Sequence, residues 1–214
     1  QPDDNPPTFL KNPDWLVAGE DLVNFYMTPG YRTWDPSAIV FMSFALFFGM
    51  ILADAGYAMI LGGLLLAYWK KMGQGHTGRR FRPLCAMIVA FSLVYGMLIG
   101  SYFGVTPAED SPLAVFHLLN MSDSNLMMII SVVIGGLHVI LAAAMDSTRY
   151  QHRTDGLASI GWACVVTAGL TLLIGNYFGR PELNTLSVLL AGVGAILIIL
   201  FTAPHEQPVS RLMK

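Results

Sequence analysis

Residues 39–69 read IVFMSFALFFGMILADAGYAMILGGLLLAYW, an apolar run with one charged side chain, Asp54, near its middle. About 20 such residues already cross the hydrocarbon core of a bilayer, so the run is a membrane segment by length alone. It is too long for one ordinary span, and Gly49, Gly56 and the Gly62-Gly63 pair punctuate it. Two readings are open: one strongly tilted helix that crosses once, or two short helices forming a hairpin with Asp54 near the turn. The hairpin is the favoured reading. Its arms are then roughly 14 to 15 residues each, about 21 Å of helix, too short to cross comfortably. Asp54 is then deep in the membrane, where a carboxylate must face protein or water and not lipid.

The rest of the composition agrees with a membrane protein. Hydrophobic residues make up 54% of the 214 and charged residues only 12%, and the mean hydropathy is +0.56. That is too apolar and too charge-poor for a soluble domain of this size, so several spans are expected. A net charge of −2, with no basic tail and no glycine-rich phosphate loop, points to no nucleic-acid partner. Cys85 and Cys164 lie inside apolar runs and read as buried small hydrophobes. No HExxH, CxxC or GxSxG motif occurs, so catalytic, cofactor and metal sites are all expected to be absent from this chain. The polar, proline-rich start is no signal peptide, and without an initiator Met it reads as cut from something longer.

Around the hairpin the chain divides into three stretches. Residues 1–37 are an acidic approach segment with six acids (Asp3, Asp4, Asp14, Glu20, Asp21, Asp35) against two bases (Lys11, Arg32). Trp15-Leu16-Val17, Leu22-Val23 and Phe25-Tyr26 have partial helical spacing, predicting a short amphipathic helix near the membrane surface. Pro29-Gly30 and Asp35-Pro36 are turn signals. Residues 38–203 form the transmembrane helical domain. After the hairpin, spans are expected at about 83–103, 125–145, 157–178 and 185–203. Residues 204–214 form a linker.

Positive charges between spans number five (Lys70, Lys71, Arg79, Arg80, Arg82), none, two (Arg149, Arg153), one (Arg180) and two (Arg211, Lys214). Short loops rich in Lys and Arg stay cytoplasmic. The alternation therefore predicts six membrane helices with a cytoplasmic N-terminus if the hairpin holds, and five if it does not.

Two polar side chains stand out inside spans. Asp54 is the one carboxylate well inside an apolar run, and an intramembrane acid is a candidate for an ion path or proton relay. The plainer role is a helix cap, its carboxylate bonding the free N–H groups that start the second arm. His138, in Gly135-Gly136-Leu137-His138-Val139, has a side chain able to relay protons. The plainer reading has it bonding a neighbouring helix across the small Gly135 and Gly136 surface. Gly96, Gly100 and Gly104 recur at the GxxxG spacing that allows close helix contact. No Arg or Lys falls inside any span, and no second mid-membrane carboxylate stands by to form a relay. The chain by itself does not read as a working pump.

Several of these residues resemble one family. Pro6-Pro7-Thr8, Leu10-Lys11-Asn12-Pro13, Asp35-Pro36 and above all Phe47-Phe48-Gly49-Met50 through Asp54-Ala55-Gly56-Tyr57 are similar to the membrane domain of subunit I, or subunit a, of the V/A-type rotary ATPases. The family pattern reads approximately FFGMMLGDxGYG; Ala53 and Ala58 stand here where glycines are usual, and Asp54, Gly56 and Tyr57 are intact. Gly100-Ser101-Tyr102-Phe103-Gly104 resembles the end of the family's third helix, and Ile134-Gly135-Gly136-Leu137-His138 its fourth. Pro208-Val209-Ser210-Arg211-Leu212 resembles the linker into the family's last two helices.

The resemblance implies the central piece of a longer subunit. Such subunits carry a large cytoplasmic domain before the first helix and two long tilted helices after the sixth. One of those holds the arginine that faces the rotor. The implied function is the stationary membrane subunit that guides H⁺ or Na⁺ past a ring of c/K-type proteolipids, coupled to ATP hydrolysis or synthesis. The implied partners are that rotor ring, the peripheral stalk subunits and the lipid bilayer. The implied location is a prokaryotic plasma (inner) membrane. This piece would be the six-helix support, with Asp54 and the hairpin at its cytoplasmic side. The competing readings are a small secondary transporter, whose site would need broken helices near the midplane, and a membrane scaffold or assembly protein without transport activity.

Overall fold

The computed structural model describes residues 10–26, 34–148 and 156–202. Its helices, in order, are α1 (Val17–Tyr26), α2 (Ser37–Leu52), α3 (Ala55–Met72), α4 (His76–Ile99), α5 (Ser124–Ser147), α6 (Leu157–Phe178) and α7 (Pro181–Phe201), with a short 3-10 helix at Pro112–Phe116. The all-α expectation holds among the described residues. Four helices, α4 to α7, are long and apolar enough to cross a membrane. The expected count of six also needs α2 and α3, which are shorter or diluted by Lys70 and Lys71 in the last turn. Pro6-Pro7-Thr8, Pro29-Gly30, Arg149, Arg153 and the 204–214 linker lie outside the described residues.

The apolar run at 39–69 is two helices. Helix α2 ends where Ala53 turns left-handed (φ 46°), and α3 begins after an extended Asp54 (φ −144°). The arms have 16 and 18 residues, roughly 24 and 27 Å. They exceed the expected length because α2 starts ahead of the apolar run and α3 continues past Trp69 to Met72.

The chain divides into two compact units between Ser122 and Asp123. In the first, α4 is the helix against which both arms pack. Phe41, near the start of α2, clusters with Leu84. Farther along, a methyl on Gly49 would sit 2.6 Å from the Phe91 Cβ. Thus α2 and α4 run in the same direction. Helix α3 runs the other way, with Gly96 against Ala55 and Gly62 against Val89.

This arrangement corrects the expected position of Asp54. Asp54 lies at the Gly96 end of α4, and the arginines lie at its beginning. If the arginine-rich end is cytoplasmic, Asp54 is on the other side. The reason is that each arm is a full helix, so the turn reaches the far end of α4.

A second correction concerns the basic stretch, expected as a linker before a span starting near 83. Helix α4 begins at His76 and takes Pro83 into its interior, where the proline ring leaves the Arg79 carbonyl without its helical donor. What holds these first two turns is α1. The Arg80 guanidinium donates to both Asp21 carboxylate oxygens at 2.8 and 2.7 Å, with Glu20 at 3.8 Å. Such a two-pronged, partly sheltered pair carries geometric specificity as well as energy. The Arg79–Asp14 pair is exposed and adds little. Gly19 completes the docking, since a methyl there would lie 2.3 Å from the Ser37 carbonyl oxygen.

Asp35 anchors the start of α2. Its carboxylate accepts from the Ser37 N–H at 2.8 Å and from the Asn12 side chain. Burial alone would raise its pKa; the bonds from Ser37 and Asn12 outweigh burial and set it below the ordinary 3.8. A carboxyl depressed on folding stabilises above its unfolded pKa and stops doing so as pH falls through the folded one. Amide protection at the start of α2, corrected for intrinsic exchange, should therefore decline below about pH 4. In Asp35→Asn it should be lower at neutral pH and show no such decline.

In the second unit α6 packs against both α5 and α7. Helix α6 stops at a left-handed Gly179 (φ 63°), and Pro181 opens α7 directly after it. Helices α6 and α7 meet at a reciprocal glycine pair: a methyl on Gly161 would lie 2.9 Å from the Gly194 oxygen, and one on Gly194 2.7 Å from the Gly161 oxygen. Small residues that let backbones approach this closely favour helix association in lipid. The Ser159 hydroxyl also donates to Asp146 at 2.6 Å, tying α6 to α5.

Candidate functional site: the Asp54 turn

The turn between α2 and α3 is built by two separated pieces of sequence. Asp54 N-caps α3, its Oδ1 accepting from the Tyr57 N–H at 2.9 Å, the usual work of an acid at this position. The same oxygen accepts from the Phe103 N–H at 3.0 Å. The other, Oδ2, accepts from the Ser101 hydroxyl at 2.7 Å and from the Gly104 N–H at 2.8 Å. The backbone adds a bond alongside, from the Ala55 N–H to the Ser101 carbonyl at 2.8 Å.

The donors are presented by a tight turn after α4. Gly100 ends that helix in the left-handed region (φ 68°). Tyr102 and Val105 then exchange two backbone bonds at 3.0 and 3.1 Å. The two residues between them, Phe103 and Gly104, have φ of 56° and 74°, the pattern of a type I′ turn. Their successive N–H groups meet the carboxylate together. A left-handed conformation is uncommon for a bulky residue. Phe103 is held in it by its bond to Asp54 and by its ring, which meets Tyr57 edge-on at 5.3 Å.

Three glycines make room. A methyl on Gly56 would sit 2.7 Å from the Phe103 ring, and one on Gly96 only 2.2 Å from the Ala55 nitrogen. Gly49 similarly faces Phe91 and Ser92. Gly100 and Gly104 have other work: both lie beyond the last residue of α4 at positive φ. The expected GxxxG stripe therefore reduces to Gly96, because the helix stops at Ile99 and the next two glycines shape the turn.

Asp54 is 6% exposed and Ser101 7%. An ionised carboxylate offers about four acceptor sites, and four donors of this chain fill them. The arrangement is chemically a latch: it fixes the start of α3 to the end of α4 and leaves the carboxylate little capacity to bind a passing cation. Tyr57 is half exposed.

The remaining expected residues lie in the second unit. His138 is partly buried on α5. Of its neighbouring glycines, Gly136 faces the Leu170 side chain on α6, and Gly135 has nothing within 4 Å. Among the described residues no group of three or more His, Cys, Asp or Glu side chains could hold a metal ion. Two features escaped sequence reading: the Ser101-to-Gly104 donors, which looked like the tail of a helix, and the Gly161–Gly194 pair. The positive-φ demand hidden in Gly100 and Gly104 was the available signal for the first; the scattered small residues of 187–195 were a weak one for the second.

No family model matches the chain. It is 29% identical over 205 residues to the A-type ATP synthase subunit I of Pyrococcus abyssi, covering 92% of this chain and 30% of that protein. It is 39% identical over 114 residues to the V-type ATP synthase subunit I of Chlamydia pneumoniae, covering 51% of this chain and 17% of that one. With the V-type ATP synthase subunit I 1 of Treponema pallidum it shares 27% identity over 205 residues, 89% of this chain and 32% of the relative. The chain thus spans less than a third of the length of these relatives. Along nine-tenths of its own length, it is a homologue of subunit I of the V/A-type ATP synthases.

Proposed function

We propose that this chain is a membrane-embedded support within the stationary subunit of a V/A-type rotary ATPase. In this role it contributes no catalytic group. It holds the subunit's ion-guiding parts beside a rotor ring of c/K-type proteolipids while H⁺ or Na⁺ flow is coupled to ATP hydrolysis or synthesis. The observation that carries the reading is the convergence of two distant motifs, Asp54-Ala55-Gly56-Tyr57 and Gly100-Ser101-Tyr102-Phe103-Gly104, on one latched carboxylate. These segments are the ones that resemble the family, and together they build a rigid corner rather than a conduit. Asp54 is accordingly a positioning residue, and His138 belongs to helix packing.

The arginine-rich beginning of α4, with α1 docked on it, faces the cytoplasm by the charge rule. A prokaryotic inner membrane is the proposed location. The transporter reading loses its main candidate site, because the Asp54 carboxylate is already satisfied by its own chain.

Affinity purification of the full chain from its own membrane in mild detergent tests the proposal. Ring-forming proteolipids and stalk subunits should come with it in fixed proportion. Recovery of the chain without them would refute the rotary assignment. Solute uptake by the chain alone in liposomes would then select the transporter, and its absence the scaffold.

A further inference from the structure

Between α3 and α4, toward the arginine-rich end, lies a groove of about 620 Å³, within the usual range of ligand-binding cavities. Leu61, Leu65, Ile88 and Val89 form its walls, and Tyr68 and Lys71 stand at its end. Three observations bear on what fills it. First, the walls are apolar and one of them, Leu64, is half exposed, so along helices of this composition the groove opens on hydrocarbon. Second, its one charged lining residue is Lys71, with the ammonium 5.9 Å from the centre of the Tyr68 ring. Aromatic and basic residues paired at a helix end are interface anchors.

Third, the cations at this end are unevenly matched. Arg79 and Arg80 are paired with acids of the α1 segment, and Arg82 donates to the Trp69 carbonyl and lies over its ring. Lys70 and Lys71 have no acidic partner among the described residues. A slot that is apolar along its length and cationic at one end matches a molecule with a long apolar chain and an anionic head.

We infer that this groove holds an anionic phospholipid of the cytoplasmic leaflet, one acyl chain between α3 and α4 and its phosphate at Lys71. The lipid fills the gap beside the two helices, and fastens α3 where its last turn meets the membrane surface. The inference rests on the helices being embedded in a bilayer, and not on the rotary assignment, so either can fail without the other.

The test uses the full chain in nanodiscs of equal phosphatidylglycerol and phosphatidylethanolamine with identical acyl chains, followed by native mass spectrometry. A lysine near a membrane surface strengthens attraction to anionic lipid modestly, and Lys71 predicts a preference of roughly fivefold for phosphatidylglycerol. The Lys71→Glu variant should lose that preference, and Lys71→Arg should keep it. Equal retention of the two lipids, or a preference unmoved by charge reversal, overturns the inference. Should charge reversal prevent folding, a photoreactive side chain at Leu65 in the otherwise native chain reads the occupant directly. A lipid adduct supports the inference, and an adduct with a protein helix overturns it.

Discussion

Replacing Asp54 by alanine is expected to cost on the order of 4 kcal/mol, at the severe end for a single substitution. The side chain accepts three backbone N–H groups and one hydroxyl, and the site is almost wholly buried. A hydrogen bond to a charged group contributes about 1.5–3 kcal/mol, and a buried donor left without a partner carries its full desolvation cost. Some relief comes from water entering the vacated space, which keeps the total below the simple sum. The loss should appear as a lower midpoint of thermal unfolding in detergent and as faster amide exchange at Tyr57, Phe103 and Gly104 together, since one carboxylate serves all three. Asp54→Asn is the finer variant. It keeps one acceptor oxygen but turns an amide toward donors, so its cost should be intermediate. Protection unchanged at Phe103 and Gly104 in the alanine variant would mean the latch does not hold the turn.

The second large effect is expected at Gly96. Alanine is the better helix former by about 1 kcal/mol, so a glycine-to-alanine change inside α4 should help if space allowed. It does not: the added methyl would lie 2.2 Å from the Ala55 nitrogen and 2.6 Å from the Asp54 carbonyl carbon. Carbon atoms rest at about 3.5–4 Å, and here the obstacle is backbone, which cannot swing aside. Moving α3 off α4 would also draw Asp54 away from its donors. A net loss of about 3 kcal/mol, the upper part of the overpacking range, is therefore expected for Gly96→Ala. Gly63→Ala is the matched control, because nothing lies within 4 Å of its added methyl. That variant should melt at the wild-type temperature or slightly above. Equal effects at the two positions would contradict the packing described here.

The helical class and most span positions were legible because apolar runs of this length have few other uses. Helix α6 begins and ends where its hydrophobic run does, and the hairpin followed from one acid interrupting a run too long for a single crossing. What was not legible depended on partners distant in sequence. The basic stretch looked like a linker because all five of its charges lie ahead of Pro83, and the acid that holds Arg80 on a helix stands some sixty residues earlier. Gly100 and Gly104 fitted a helix stripe by spacing, but spacing does not reveal that the chain turns at Gly100. A cap at Asp54 could be read from its place before α3. The three further donors from the Phe103 turn could not, since that bond pattern exists only once α3 and α4 lie side by side. That Asp54 and the arginines stand at opposite ends of α4 was hidden for the same reason: the turn's position depends on how far each arm extends.

The most direct test of the central claim, that Asp54 positions helices rather than carrying ions, is ion pumping per assembled complex in Asp54→Asn. Membranes from the variant and the wild type would be compared for the amount of intact ATPase and for ATP-driven acidification or Na⁺ uptake normalised to that amount. Fewer assembled complexes are expected, with unchanged pumping by each of them. Normal assembly with pumping abolished would contradict that claim, and would return Asp54 to the ion path.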